Sequence, residues 1–305
     1  MKDTHSTEGE IDFNVKGVDE PCKTWYKIFG ALTPTSTPLI CLHGGPGVPH
    51  NYLLSLSTIA SNTSTPIILY DQLGCGKSTH LPSQPNPKDF WTPQLFLDEL
   101  SNLISSLKIS QYFLLGQSWG GMLGAMHAIQ RPQGLKKLII ADSPASMDLW
   151  VQAAEKLRRA LPEDVQEVLD RCEREGRMES EEYEKAVGVF YARHVCRLDP
   201  FPGDLVDSFD ALKEDSTVYG VMNGPSEFFI SGTLRTWTVV DEVHKIAVPT
   251  LLVNGRFDEA QDEVVEPFFR NIEKVKWVRF AESSHMPHWE EKDEFMKVVK
   301  DFIAE

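Results

Sequence analysis

Residues 112–132, YFLLGQSWGGMLGAMHAIQRP, decide how this chain is read. An apolar run, YFLL, enters a Gly-x-Ser-x-Gly turn at 116–120 and leaves it as MLGAMHAIQ, a helical stretch that stops at Pro132. A strand, a tight turn and a helix in that order make a nucleophile elbow. The glycines are required because the serine sits on a strained turn where bulky neighbours would clash, and its hydroxyl must project into a site. Ser118 is the candidate nucleophile.

Working outward, short apolar runs alternate with amphipathic stretches. TWYKIFGAL (24–32), PLICLHG (38–44), PIILYDQ (66–72), KKLIIADS (136–143), TLLVNGR (250–256) and KWVRFAE (276–282) join the elbow strand as predicted strands. Several are apolar without alternation, as parallel strands covered on both faces are. Residues 92–108 carry Leu95, Phe96, Leu100, Leu103, Ile104 and Leu107 at helical spacing behind Thr92 as N-cap and Pro93 at the first position. The carboxy-terminal stretch puts Phe295, Val298, Val299 and Phe302 on one helical face. This alternation predicts an α/β class: a mostly parallel central sheet with helices on both faces. The pattern breaks once. Residues 146–240 hold charged helical segments and no strand series, which reads as a helical cap inserted into a core made of 1–145 and 241–305.

A serine hydroxyl needs a base to take its proton, and the base needs an acid to orient it. On a sheet of this kind the partners follow the serine in the order acid, then histidine, on loops after late strands. TLLVNGR leads directly to Asp258, and KWVRFAE leads to SSHMPHWEE with His285 and His288. His285 comes first after its strand and is preferred as the base. Zinc chemistry at His285-x-x-His288 lacks any accompanying ligand set, so no metal is expected. HGGPG (43–47) follows PLICL, where glycines let backbone N–H groups approach a developing oxyanion; Gly45 N–H and Trp119 N–H are the candidate donors. DQLGCGKS (71–78) imitates a phosphate loop but has Asp71 where the leading glycine belongs, and reads as a turn that shapes the site.

The formal net charge of −15 excludes a nucleic-acid footprint and would suit a cationic ligand. The stretch MKDTHSTEGEIDF has no apolar core, and no run approaches the roughly 18 apolar residues of a membrane span, so a cytoplasmic protein without a membrane partner is expected. Five scattered cysteines, never in C-x-x-C, predict reduced, mostly buried thiols. Oligomeric state is not legible here.

HGGPG, DQLGCGKS, GQSWGG, NGRFDE and SSHMPH, in this order and spacing, resemble the proline iminopeptidases, among them the archaeal tricorn-associated aminopeptidase. The resemblance spans nearly the whole chain and implies the α/β-hydrolase fold, no cofactor, and an exopeptidase site. In that family the residue after the triad acid is a glutamate that binds the substrate α-ammonium, and a second glutamate reaches in from the cap. Glu259 matches the first, and VMNGPSEFFISGTL (221–234) places Glu227 as the second. From the residues alone both would read as solvated loop acids. The chain departs from many relatives at Leu73, where they have Arg, and at Ser226, where they have Asn; both changes are expected near the substrate side.

The resemblance implies a serine hydrolase that releases an N-terminal proline or small apolar residue from a small peptide or amino-acid amide. Ser118, His285 and Asp258 would form the triad. The alternatives are an esterase or amidase acting on an amine-bearing biosynthetic intermediate and, from another class, a non-catalytic receptor or scaffold on the same fold.

Overall fold

The protein is seen as a computed structural model that describes residues 5–19 and 21–305; the opening four residues of the amino-terminal stretch read above, and Glu20, lie outside the described residues. Eight strands form one sheet: β1 (Ser6–Phe13), β2 (Cys22–Phe29), β3 (Leu39–Leu42), β4 (Ile67–Tyr70), β5 (Tyr112–Gln117), β6 (Leu135–Ala141), β7 (Thr250–Gly255) and β8 (Val275–Phe280). Their order is β1-β2-β4-β3-β5-β6-β7-β8. From β3 to β8 the strands are parallel, while β1 and β2 form an antiparallel pair added to the free side of β4. The sequence predicts every strand but β1. STEGEIDF is exposed along its first three positions and buries only Ile11 and Phe13, so its apolar signal is too thin to stand out.

β3, β4 and β7 are buried at every position, which is why they read as unbroken apolar runs. Ile40 and Leu42 of β3 pack with Phe96, Leu100 and Leu123 on one face of the sheet. Leu39 and Cys41 pack with Ile59, Phe295 and Val299 on the other. Alternate side chains pointing to opposite faces thus bury two helical layers against one sheet. Each such aliphatic side chain contributes about 1.5–3 kcal/mol of burial. The helix Pro93–Ser106 begins where Thr92 Oγ1 accepts the Leu95 N–H at 3.4 Å. It stops short of the predicted 108 because Lys108 takes a left-handed φ of 55°.

Between β6 and β7 the chain leaves the sheet and forms the helices Met147–Arg158, Glu163–Glu175, Glu181–His194, Gly203–Glu214 and Thr217–Met222. It departs and returns at one neck. Ser146 and Thr238 pair antiparallel, the Met147 N–H donates to Trp237 O at 2.9 Å, and the Val239 N–H donates to Ala145 O at 3.0 Å. The segment has its own apolar cluster of Leu161, Leu169, Cys172, Tyr183, Phe190 and Phe228. All five cysteines are free and buried. Among the described residues no helix is long and apolar enough to cross a membrane.

Candidate active site

Ser118 follows β5 directly, with φ 56° and ψ −123°, a conformation that costs a non-glycine residue strain. The turn has no room for side chains beside it: a Cβ on Gly116 would stand 2.0 Å from Gly120 O, and one on Gly120 would stand 2.1 Å from Leu42 O. The elbow therefore packs backbone against backbone, and the helix Trp119–Ile129 begins at the serine. Opposite it, Gly45 takes φ 106°, and a Cβ there would meet the N atoms of Gly47 and Val48 at 2.7 Å. The Gly44 N–H is engaged by Tyr52 OH at 2.6 Å. Among the described residues, the backbone N–H groups of Gly45 and Trp119 donate to no acceptor, which leaves two donors free beside Ser118.

Asp258 and His285 come from the loops after β7 and β8. His285 Nδ1 lies 2.7 Å from Asp258 Oδ1, which also accepts the Ala260 N–H at 2.8 Å. That bond fixes the tautomer, with Nδ1 as donor and Nε2 free to accept. His288 is elsewhere: its Nε2 donates to Tyr52 O at 3.2 Å, and burial pushes its pKa down to about 3. The His285 ring meets Trp150 edge-on at 5.9 Å. Ser118 Oγ makes no hydrogen bond to His285, yet both line one cavity together with Gly45, Glu227 and Glu259.

The two glutamates differ from ordinary surface acids. Glu259 is 1% exposed, and neither carboxylate oxygen has a hydrogen-bond donor among the described residues. Its Oε1 lies 3.8 Å from His285 Nε2. Burial, with Glu227 and Asp258 close by, pushes its carboxyl well above the usual range. Glu227 Oε1 accepts from Tyr219 OH at 2.6 Å, which offsets part of the upward shift that burial imposes. Such acids are costly unless something positive joins them. Glu227 also lines a second cavity that reaches Ser118, walled by Met122, Pro144, Met147, Trp150 and Leu234.

Several parts of the site have no signal in the sequence reading. His194, which reads as a surface or packing residue, clamps the acid loop: its Nδ1 lies 2.8 Å from Phe257 O, and its own carbonyl accepts the Glu259 N–H at 3.2 Å. Glu290 accepts from the N–H and Oγ of Ser284, the Met286 N–H and the Arg197 N–H, so one carboxylate holds the His285 loop to the inserted segment. Gln117 spans the elbow, donating to His285 O at 3.1 Å and accepting from Tyr52 OH at 2.7 Å. Only Gln117 carries a hint in the sequence, as a polar residue at the end of a strand.

DQLGCGKS forms a turn beside the elbow, where Gln72 Oε1 accepts the Trp119 indole N–H at 2.9 Å. His43, Asp71 and Cys75 converge there within 4.8 Å. Their atoms are already committed: His43 Nε2 accepts the Gln72 N–H, and Asp71 takes the N–H groups of His50 and Lys77 together with the His50 ring. The trio is a structural network. Leu73 and Ser226, expected near the substrate side, are both buried and line neither cavity. Leu73 is in the sheet core and Ser226 bonds Tyr183 OH at 3.3 Å.

Residues 37–292 match the family described as alpha/beta hydrolase fold. The proline iminopeptidase of Heyndrickxia coagulans is 37% identical over 267 residues, covering 88% of this chain and 90% of that one. The crystal structure of VinJ superposes with a TM-score of 0.93 at 44% identity over 98% of both chains. That of a proline iminopeptidase from Mycobacterium smegmatis gives 0.87 at 43% identity over 97% and 98%.

Proposed function

The chain belongs to the α/β-hydrolase fold family and, within it, to the proline iminopeptidases, and from that premise we propose that it is a serine aminopeptidase whose site reads a free N-terminal ammonium. One observation carries the reading. A cavity that reaches Ser118 and His285 also holds two carboxyl groups, one of them without a donor among the described residues. A neutral substrate would leave that acid buried and unpaired, whereas an α-ammonium satisfies both.

In the proposed cycle Ser118 Oγ attacks the scissile carbonyl while His285 Nε2 takes its proton. Asp258 holds the imidazole through Nδ1 and faces the positive charge that forms. The oxyanion develops between the Gly45 and Trp119 N–H groups, where one such donor is worth about 10²–10³ in rate. His285 then returns the proton to the departing amine, and water attacks the acyl-enzyme by the same route. Glu227 and Glu259 anchor the ammonium, so the first peptide bond is the one presented to Ser118. The apolar wall of Met122, Met147 and Trp150 supports an apolar first residue. The 146–240 segment is proposed as the cap that carries Glu227 and Trp150 over the sheet. An amidase acting on an amine-bearing small molecule would use the same machinery.

The test is a panel of aminoacyl arylamides offered free and N-acetylated. Hydrolysis of the free forms alone is expected, with prolyl or small apolar residues preferred. Equal rates on acetylated members would overturn the ammonium reading. Loss of fluorophosphonate labelling in Ser118→Ala would separate an enzyme from a binding scaffold.

A further inference from the structure

β6 ends one residue before Asp142, which neither the elbow nor the amine site uses. Asp142 is fully buried, takes a left-handed φ of 53°, and is pinned by its N–H to Val253 O of β7 at 2.7 Å. β6 and β7 are neighbours in the sheet, so the loops at their ends meet. The Asp142 carboxyl comes into direct side-chain contact with that of Asp258. Both Asp142 carboxyl oxygens and Asp258 Oδ2 are sealed from solvent, and none has a side-chain or backbone donor within hydrogen-bond geometry among the described residues.

We propose that Asp142 is a positioning residue of the triad: its carboxyl group donates a hydrogen bond to Asp258 Oδ2, fixing the rotamer in which Oδ1 faces His285. Three sealed acceptor atoms cannot satisfy one another without a proton, and two ionised carboxylates in contact repel strongly in a low dielectric. The proton belongs on Asp142. Asp258 Oδ1 already takes two donors, the Ala260 N–H and the His285 ring, so its hydrogen bonding is met without a proton of its own. Asp142 has nothing comparable. Burial pushes its carboxyl well above the ordinary range, and Asp258 and Glu290 push in the same direction, against a weaker pull from the Gly255 N–H, which stands outside hydrogen-bond geometry. Tyr52 is the remaining titratable group facing it, and it is neutral. A neutral acid behind Asp258 holds the carboxylate in place without adding a second negative charge behind the imidazole. This rests on the reading of Ser118, His285 and Asp258 as the triad.

The test compares Asp142→Ala with Asp142→Asn on a free aminoacyl arylamide. Asparagine keeps a donor, is nearly isosteric, and tolerates a left-handed φ well. Leaving the buried Asp258 oxygen without a donor should lower kcat of Asp142→Ala about 10- to 100-fold with KM nearly unchanged. Asp142→Asn should recover most of that loss, which a merely structural role would not produce. A kcat for the alanine variant equal to that of the parent enzyme, or an equal fall in both variants at matched thermal stability, overturns the inference. Ser118→Ala is run beside them. If it remains active, the triad reading fails and takes this inference with it. If it is inactive while Asp142→Ala works normally, only this inference falls.

Discussion

Asp258 and Glu259 are consecutive residues on one loop, both buried, and their surroundings are opposite. Asp258 faces the core, where the sheet supplies His285 and a backbone N–H to one oxygen and the Asp142 carboxyl to the other. Glu259 faces the segment between β6 and β7, with Glu227 and His285 Nε2 close by, and among the described residues no donor reaches its carboxylate. The contrast separates two uses of a buried acid. On the proposed reading, one is completed by the fold and holds the catalytic imidazole still. The other is left incomplete by the fold, and the proposed ammonium would complete it.

The sharpest way to break this comparison is to neutralise each acid in turn. Asp258→Asn should lower kcat by about 10⁴ on every substrate, charged or not, because it disturbs the imidazole tautomer. Glu259→Gln should lower kcat/KM on free aminoacyl arylamides by about 10²–10³, the cost of breaking one buried ionic contact. On an uncharged aryl ester its rate should stay within about threefold, since nothing there depends on the anchor. Steady-state kinetics on both substrates decides the matter. A Glu259→Gln enzyme that loses both activities equally would show that the two acids serve the same chemistry.

Much of the core side is legible in the sequence because the sheet forces it. Ser118 and Asp258 stand within a few residues of β5 and β7, apolar runs covered on both faces, and His285 follows β8, a half-buried edge strand, so strand ends name them before any fold is drawn. Asp142 stands at another strand end, but a lone acid after LIIA carries no motif, and its meaning appears only when β6 and β7 lie side by side. On the cap side the sequence is nearly silent. Without the family resemblance Glu259 and Glu227 read as solvated acids, His194 reads as a surface, packing or loop residue, and nothing singles out Tyr219. Their roles depend on how five helices fold back over the sheet, a packing problem with no local period. β1 escaped for the complementary reason, being an edge strand with two buried side chains.

The incomplete acid also leaves a thermodynamic trace. The folded pKa of Glu259 is raised, by burial first and then by Glu227 and Asp258. A raised carboxyl binds more protons in the folded state, so its contribution to stability is full below the unfolded value near 4.3 and is lost as pH climbs toward the folded one. Glu259→Gln removes that loss. Its melting midpoint should match the parent enzyme at about pH 4 and exceed it by roughly 2–4 °C at neutral pH. A midpoint that falls at neutral pH would mean Glu259 is already paired in the free enzyme.

The smallest effect tests whether the segment between β6 and β7, the proposed cap, is held to the rest of the chain by charge as well as by packing. His80, on the turn after Ser78, pairs with Asp215 between the helices Gly203–Glu214 and Thr217–Met222, Nδ1 to Oδ2 at 2.5 Å. Desolvation lowers the His80 pKa, but the hydrogen bonds to Asp215 and the Gly76 carbonyl together outweigh it, and the net shift is upward. The contribution is therefore full below the unfolded histidine value near 6.5 and disappears as pH rises through the folded one. With the His80 side chain 36% exposed, solvent and salt screen the pair, and about 0.2–1 kcal/mol is expected. His80→Asn should cost that much at about pH 5.5 and nothing at about pH 9, read from denaturant midpoints. An equal loss at both values would show that His80 holds the segment between β6 and β7 by packing alone, leaving charge to act chiefly at Glu227 and Glu259, the proposed ammonium site.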